Sequence, residues 1–263
     1  MKSTVVIPCA GKGTRLYPLT NDVSKSMLEI GHYKLIDYAI SECLLSDIDR
    51  ILIISSPDDL LLKNHIENIF RDYKLPFSDD FKTEKTEIIV IDQPIPNGLG
   101  DAINLSSDYI ISDKFGIILP DDFIISHTPM MKKMKNCSEK FDSNILLGKE
   151  VSNELVSNFG IIETKSKIHP SYQEVCSLLE KPNIEQTNSN LAILGRYFLN
   201  KSVFTYLKNT SPGYGGEIQL TDSLIQQLNN EKFYVIECKG THFDVGSIKG
   251  FEDANKYVTE QNF

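Results

Sequence analysis

Two glycines near the amino terminus frame the residues with the clearest chemical potential. The segment Ala10-Gly11-Lys12-Gly13-Thr14-Arg15 follows a short apolar run that ends at Pro8. Glycine lets the backbone turn sharply and come close to a ligand, and Arg15 adds positive charge. Backbone N–H groups in such a loop can cradle an anion, usually phosphate. The pattern therefore predicts a phosphate-binding loop, although a plain turn between a strand and a helix has the same glycines.

This loop matches neither of two familiar phosphate-binding motifs. A P-loop has Lys and then Ser or Thr directly after its last glycine, whereas Gly13 is followed by Thr14 and Arg15. The dinucleotide fingerprint has a third glycine three positions after the second, where this chain has Leu16. A dinucleotide-dependent oxidoreductase is therefore disfavoured.

A pair of adjacent carboxylates forms a second candidate site. Asp121 and Asp122 follow an apolar stretch that ends at Pro120. In sheets of parallel strands, ligands bind at the carboxyl ends of the strands. The pair and the glycine loop are therefore expected on one rim of the sheet. Aspartate also favours turns, so an ordinary turn is the alternative.

Strands and helices that alternate along the first half must position these groups. Apolar residues at helical or strand spacing predict strands at 5–7, 50–55, 87–91 and 116–119, and helices at 35–44, 57–71 and 101–111. Because parallel strands need long connections, the alternation predicts parallel strands joined by helices. The polar, turn-rich stretch 72–85 is predicted to be a surface insertion.

The second half has more strands and fewer helices. Strands are predicted at 143–151, 160–164, 174–180, 191–199 and 232–237, and helices at 204–207, 218–228 and 247–258. No linker rich in Ser, Gly or Pro separates the halves. We therefore expect one domain over 1–263, with the halves 1–125 and 126–263 on either side of a cleft.

Composition restricts the classes of function. The chain has 263 residues, 41% of them hydrophobic, and a formal net charge of −9. That charge argues against nucleic acid or an anionic membrane as the main partner. The five cysteines are scattered without a CxxC pair, which favours reduced thiols over disulfides or zinc. With no signal peptide or run of transmembrane length, the expected location is cytoplasmic.

The order of motifs along nearly the whole chain resembles the sugar-phosphate nucleotidyltransferase family, and within it the bacterial uridylyltransferases. In chain order the motifs are Ile7 to Arg15, Pro18-Leu19-Thr20, Lys25-Ser26-Met27-Leu28, Gln93 with Gly98 to Ala102, Leu119-Pro120-Asp121-Asp122, Phe159-Gly160-Ile161-Ile162, Glu180-Lys181-Pro182, Ser189 to Tyr197, Gly216 to Asp222 and Phe243-Asp244-Val245-Gly246. The resemblance implies an α/β, Rossmann-like three-layer fold with a central mixed, mainly parallel sheet.

The resemblance also implies a reaction. A glucose-1-phosphate oxygen attacks the α-phosphorus of UTP in line, which gives UDP-glucose and releases pyrophosphate. The nucleophile is already an anion and needs no general base, in keeping with a sequence that has no convincing Ser-His-Asp or Cys-His arrangement. Catalysis is then mostly positioning and charge neutralisation. A homodimer or homotetramer is expected from the same resemblance.

The family's charged positions fall on five residues of this sequence. Arg15 and Lys25 would hold the triphosphate as catalytic cations, and Lys181 would hold the sugar phosphate from the opposite side. Asp121 and Asp244 would be the metal ligands for Mg²⁺, which takes few carboxylates and keeps phosphate and water oxygens in its shell. Lys12 is a further cation within the glycine loop.

Uncharged contacts and one acidic contact follow by the same resemblance. The expected nucleotide-binding residues are Ala10, Gly11, Gly13, Thr14, Ser26, Gln93 and Gly98. The expected sugar-binding residues are Gly160, Glu180 and Asn190, although Asn190 could instead cap a strand end. Ser26 stands where the uridylyltransferases usually have Glu, so nucleoside choice is the least secure expectation.

Two alternative functions remain open. One is thymidylyl transfer from dTTP to glucose-1-phosphate, because thymidylyltransferases share the motifs of the first half. The other is a catalytically inactive relative that binds sugar nucleotides and regulates a partner. The intact charged positions argue against the inactive relative. The five histidines show no metal-ligand spacing and are interpreted as structural or surface residues.

Overall fold

A computed structural model of the chain describes residues 2–11, 13–69, 74–77, 86–165 and 171–261. The strands are β1 (Thr4–Pro8), β2 (Glu29–Ile30), β3 (Tyr33–Lys34), β4 (Arg50–Ser55), β5 (Glu87–Asp92), β6 (Lys114–Ile118), β7 (Asp122–Ile125), β8 (Asn144–Glu150), β9 (Gly160–Thr164), β10 (Tyr172–Glu180), β11 (Leu191–Asn200), β12 (Phe233–Glu237) and β13 (Thr241–Asp244). The α-helices are α1 (Leu35–Leu45), α2 (Leu60–Asn68), α3 (Leu99–Leu105), α4 (Met130–Phe141), α5 (Val203–Leu207), α6 (Leu220–Leu228) and α7 (Ile248–Glu260).

One mixed sheet runs through both halves of the described chain, in the strand order β5-β4-β1-β6-β11-β8-β12-β10-β9. The strands β5, β4, β1 and β6 are parallel neighbours, as are β8 and β12. Every other neighbouring pair is antiparallel. The sheet is mixed, as predicted, but parallel pairing is concentrated in the first half and does not dominate the second.

Helices cover both faces of this sheet, which gives the three layers that the resemblance implied. Alternate residues of β1 point to opposite faces: Val5 and Ile7 pack in one apolar cluster and Val6 in the other. The first cluster contains buried residues of α1, α2 and α4. The second contains buried residues of α3, α5 and α6. The sheet is therefore buried on both sides, and its strand ends are left to form the site.

A short antiparallel sheet of two strands, β7 and β13, lies outside the main sheet and is called the β7–β13 sheet below. It pairs Asp122 with Asp244, although these residues are far apart in sequence. Helix α7 packs closely beside it: Gly250 lies so near the backbone oxygen of Asp244 that no side chain would fit there. The pairing thus places the Asp121-Asp122 turn next to the strand that ends at Asp244.

Several element boundaries differ from those predicted. The helix predicted at 101–111 ends at Leu105 and is followed by a separate 3₁₀ turn, Ser107–Tyr109. Helix α2 is shorter than the predicted 57–71, since Asp59 caps its start by accepting a hydrogen bond from the Leu62 amide at 3.0 Å. Of the predicted insertion at 72–85, all but 74–77 lies outside the described residues. Helix α4 and the β7–β13 sheet were not predicted.

Among the described residues, no helix combines the length and the apolar character that crossing a membrane requires.

Candidate active site

A cleft of about 620 Å³ opens between the two halves, at the carboxyl ends of β1 and β6. Predicted site residues from both halves line it. They are Ala10, Gly11, Gly13, Thr14, Arg15, Lys25, Ser26, Gln93, Gly98, Asp121, Gly160, Glu180 and Lys181. Residues predicted from motifs up to 171 positions apart (Ala10 to Lys181) therefore converge on one space.

The glycine loop turns where β1 ends and leads into a 3₁₀ turn, Thr14–Leu16. Gly13 has φ 63° and ψ 25°, the left-handed conformation that glycine adopts most readily. The Thr20 hydroxyl donates to the Gly13 carbonyl at 2.9 Å and fixes the turn. Apart from its two chain neighbours, no atom of the described residues lies within 4 Å of where a Gly11 side chain would begin. The loop therefore offers open backbone to a ligand and places Arg15 at the cleft.

Lys25, on the neighbouring 3₁₀ turn Lys25–Met27, forms an ion pair with Asp121. Burial alone would raise the pKa of Asp121, but the Lys25 ammonium, with help from Arg15, lowers it below its ordinary value. Asp121 is thus a carboxylate at neutral pH. The pair joins a cation predicted for the triphosphate to a predicted metal ligand.

Gly246 marks the point where the charged groups meet. A methyl group there would lie 2.8 Å from Asp244 Oδ1, 2.9 Å from Arg15 Nη2 and 3.5 Å from Lys25 Nζ. The Val245 amide donates to the Asp121 carbonyl at 2.9 Å, which holds the two aspartate segments side by side. The missing side chain leaves a space bounded by two cations and a carboxylate.

This arrangement suits a divalent metal that is bound together with a polyanion. Asp121 and Asp244 offer carboxylate oxygens from adjacent backbone segments, next to the space at Gly246. The described residues contain no cluster of three or more His, Cys, Asp or Glu side chains that could hold a metal. Two carboxylates are enough for Mg²⁺ when phosphate and water oxygens complete its shell. The residues therefore fit the implied ion.

The opposite wall is polar and comes from β9, β10 and α6. Glu180 pairs with Gly160 across β9 and β10. A methyl group at Gly160 would lie 3.0 Å from Ile193, 3.4 Å from the Thr221 hydroxyl and 3.5 Å from Glu180 Oε2. The glycine thus keeps a small space open between one carboxylate and one hydroxyl, which can hydrogen-bond the hydroxyls of a sugar.

Lys181 follows Glu180 and carries the cation of this wall. Its φ is 45°, which is unusual for a residue with a side chain. Its amide donates to the Phe159 carbonyl at 3.1 Å, and its Nζ lies 3.8 Å from Glu180 Oε1. Strained backbone of this kind tends to occur at functional sites, where the surrounding structure enforces it.

Hydrogen bonds between the two halves hold the part of the cleft that is predicted to bind the nucleoside. Gly98 has φ 107°, and a methyl group there would meet Glu217 and the Ile218 carbonyl at 2.8 Å. The Ile218 amide donates to Asn97, and its carbonyl accepts from Gly100. These contacts require glycine where the two segments touch, and they bring Glu217 to the cleft.

Gln93 and Ser26 lie deeper on this side. Gln93 is buried and donates from Nε2 to Asp101 Oδ2 at 2.7 Å. Ser26 is also buried, and its hydroxyl lies 3.1 Å from that of Ser24. It contacts Cys9, whose thiol pKa burial raises to about 12. At Ser26 and Cys9 the wall of the cleft therefore carries no charged side chain, and it lacks the carboxylate that a Glu at position 26 would add.

The structure does not bring every predicted residue to the cleft. Asn190 lies outside its lining, and its side-chain amide donates to the Val151 carbonyl at 2.9 Å, so its position matches the strand-end alternative. Asp244 is not part of the lining either, but it borders the space at Gly246. Lys12 lies outside the described residues. Two of the histidines pair with aspartates, His65 with Asp37 and His242 with Asp122.

Several lining residues were not predicted, among them Ile193, Tyr197, Glu217 and Thr221. Glu217 and Thr221 belong to a motif that the resemblance included, without a role. Ile193 and Tyr197 lie on β11, within the motif Ser189 to Tyr197, which the resemblance also included without a role for them. Both pack in the same apolar cluster on one face of the sheet, and alternation along the strand does not show which residues of that face reach the cleft.

Three known proteins that are similar in sequence or structure are named as uridylyltransferases or pyrophosphorylases of UDP-glucose. A UTP–glucose-1-phosphate uridylyltransferase of Mycoplasma genitalium is 34% identical, over 98% of this chain and 91% of that relative. A protein of the same name from Bacillus subtilis is 34% identical, over 93% and 85% of the two chains. A UDP-glucose pyrophosphorylase solved with UDP-glucose has a TM-score of 0.88 and 31% identity, covering 99% of this chain and all of that one. The family model described as nucleotidyl transferase matches residues 4–261, and the chain belongs to that family.

Proposed function

We propose that this protein transfers a uridylyl group from UTP to glucose-1-phosphate and releases pyrophosphate. The observation that carries the proposal is the cleft, where Arg15, Lys25 and Asp121 on one side face Glu180 and Lys181 on the other. The activity named for relatives at 34% identity supports the choice of substrates. The continuous sheet supports a single domain over 1–263, with 1–125 binding the nucleotide and 126–263 the sugar phosphate.

In this proposal the first half binds UTP. The backbone of the glycine loop approaches the nucleotide, and Arg15 and Lys25 neutralise charge on its phosphates. Gln93 and Gly98 face the base, while Ser26 closes the wall beneath it. Mg²⁺, held by Asp121 and Asp244 together with phosphate oxygens, would supply further positive charge to the triphosphate. This charge matters because two polyanions must approach each other before they react.

The second half binds and aligns glucose-1-phosphate. Glu180 and the small space at Gly160 accept sugar hydroxyls, and Lys181 holds the phosphate. One phosphate oxygen then forms a bond to the α-phosphorus of UTP while the bond between the α-phosphorus and the bridging oxygen to the β-phosphate breaks. The electron pair leaves with pyrophosphate, and no proton has to be removed from the nucleophile. The protein contributes orientation and charge neutralisation.

The proposal is tested by measuring UDP-glucose formation from UTP and glucose-1-phosphate, with and without Mg²⁺. We expect turnover that needs the metal and that falls at least tenfold in Asp121→Asn and Asp244→Asn. Asp253→Asn, on the exposed face of α7, is the matched control and should behave as the parent. Full activity after metal removal, or in both variants, would contradict the metal site.

The proposal extends to assembly and location. We expect a homodimer or homotetramer, as the family resemblance implies, which light scattering of the purified protein would test. A cytoplasmic location is supported by five cysteines that are all free thiols in the structure. Fractionation of the source cells would check it.

A further inference from the structure

We propose that Arg196, with its ion-pair partner Glu42, is a positioning residue that holds the Asp121 carboxylate in place for catalysis. Neither residue was predicted as part of the site, and neither lines the cleft. The inference rests on the role proposed above for Asp121. It assigns a function to a buried charge pair that sits behind the catalytic turn.

The Arg196 guanidinium makes an unusually complete set of bonds for a buried group. Its side chain is 4% exposed, and Nε and Nη2 each lie 2.9 Å from Glu42 Oε2. The two N–H groups of its Nη1 are shared among three carbonyls, those of Leu119 at 3.0 Å and of Asp122 and the neighbouring Gly195 at 3.1 Å. The planar fork of arginine allows these bonds at once, which a lysine ammonium on a flexible stem would not reproduce.

Two of these carbonyls lie on either side of the turn that carries Asp121. Leu119 precedes Pro120-Asp121, and Asp122 follows it. The Asp121 carbonyl is held separately by the Val245 amide at 2.9 Å. The backbone is thus fixed before, at and after Asp121, so its carboxylate is presented to Lys25 in one orientation.

Strand β11 comes unusually close to this turn. A methyl group at Gly195 would lie 2.5 Å from Asp122 Oδ2 and 2.6 Å from the Leu119 side chain. The absence of a side chain at Gly195 lets Arg196 reach both carbonyls from directly behind the turn. The Leu119 amide also donates to the Gly195 carbonyl at 2.8 Å.

Glu42 anchors the arginine to two helices. It belongs to α1, and its other oxygen accepts a hydrogen bond from the Met131 amide at 2.9 Å, in the first turn of α4. The catalytic turn is therefore tied through Arg196 to α1, α4 and β11. A buried ion pair is weak evidence for a contribution to stability, because its desolvation offsets its attraction. A role in orienting Asp121 gives this pair a function that stability alone does not.

The test compares two variants that separate positioning from folding. In the double variant Glu42→Gln/Arg196→Met both charges are removed together, so no buried charge is left alone, and the Gln oxygen can still accept from Met131. Arg196→Lys keeps a cation beside Glu42 but cannot reach both carbonyls. Arg50→Met is the matched control: Arg50 pairs with Glu87 and donates to the Tyr109 carbonyl, outside the cleft.

Three quantities are measured: turnover and KM for glucose-1-phosphate, thermal melting, and Mn²⁺ binding in the presence of UTP by electron paramagnetic resonance. We expect both test variants to lose turnover about tenfold to hundredfold, with KM changed less than threefold. We expect the Kd for Mn²⁺ to rise about tenfold, since groups that orient a metal ligand affect its affinity on this scale. Arg50→Met should keep the parent's turnover and Mn²⁺ affinity.

Either test variant overturns the inference if it folds and keeps the parent's turnover and Mn²⁺ affinity; should the double variant fail to fold, Arg196→Lys decides. Asp121→Asn is measured alongside to separate this inference from the proposed function. If Asp121→Asn leaves Mn²⁺ binding unchanged, the proposed role of Asp121 is wrong, and the inference fails with it. If Asp121→Asn weakens Mn²⁺ binding and the test variants do not, the inference alone fails.

Discussion

Charge placement at single residues dominates this site. Arg15 and Lys25 approach the space at Gly246 from the first half, and Lys181 lies on the wall of the second half. The carboxylates Asp121 and Asp244 lie beside the cations of the first wall, and Glu180 lies beside Lys181 on the second. A substrate phosphate in the cleft would therefore meet positive charge from both walls, which is what the joining of two anions requires.

Lys181 gives the sharpest prediction at this scale. Lys181→Ala removes the cation of the second wall, so turnover should fall at least a hundredfold, a barrier increase of about 2.7 kcal/mol. The melting temperature should change little, because the side chain is 31% exposed. Lys256→Ala, at an exposed position on α7, is the control for removing a lysine. Near-normal turnover in Lys181→Ala would disprove the role.

Cys9 tests whether the neutral wall beside Ser26 is as buried as the structure indicates. Because burial raises its pKa to about 12, its thiol should stay protonated at pH 8, and only the thiolate reacts with alkylating reagents. Iodoacetamide at pH 8 should label the exposed Cys176 and leave Cys9 and the activity intact. Labelling of Cys9 should increase about tenfold per pH unit as the pH rises towards 12.

Peptide mapping by mass spectrometry measures both sites in one sample. Rapid labelling of Cys9 at pH 8, with loss of activity that UTP prevents, would contradict this prediction.

Among the elements, the β7–β13 sheet has the largest effect on the site. It pairs Asp122 with Asp244 and so sets Asp121 and Asp244 side by side. Its strands are four residues each; β7 comes from the middle of the chain and β13 from near its carboxyl end. A local pattern in the sequence cannot reveal a pairing of strands over that separation. This explains why the β7–β13 sheet was not predicted, although Asp121 and Asp244 were predicted as metal ligands.

Gly246, two residues after the end of β13, gives a prediction for the β7–β13 sheet. In Gly246→Ala the new methyl group would lie 2.8 Å from Asp244 Oδ1 and 2.9 Å from Arg15 Nη2, so one of them must shift. We expect turnover to fall about tenfold or more and the Mg²⁺ concentration for half-maximal rate to rise. A magnesium titration of the initial rate measures both. An unchanged titration would mean that this space is not used.

The sequence predicted the parts of the site that follow directly from local pattern. The glycine loop and Asp121 each come at the end of an apolar strand, where topology alone places them on one rim. Tyr197 was missed because alternation along β11 places it on a buried face of the sheet without showing that this part of the strand reaches the cleft. Arg196 was missed, although it belongs to the motif Ser189 to Tyr197, because it contacts backbone carbonyls from behind the turn and a sequence motif does not show such contacts. Asn190 shows the converse: its motif context suggested a sugar contact, but its amide is bound to Val151.

For the whole molecule, the main point is that one sheet carries both walls. Strands β1 and β6 from the first half are continuous with β11, β10 and β9 from the second. The two walls are therefore fixed to one rigid layer, buried on both faces. Such a layer can hold two anions in line without a covalent intermediate, since positioning itself supplies much of the rate.

The central claim is most directly tested by a crossed screen of pyrophosphate release. UTP, dTTP, GTP and ATP are each combined with the 1-phosphates of glucose, galactose, mannose and N-acetylglucosamine, in the presence of Mg²⁺. We predict that UTP with glucose-1-phosphate gives the highest kcat/KM and that its product is UDP-glucose. A strong preference for dTTP would assign the protein to thymidylyl transfer, and no release in any pair would contradict an active enzyme altogether.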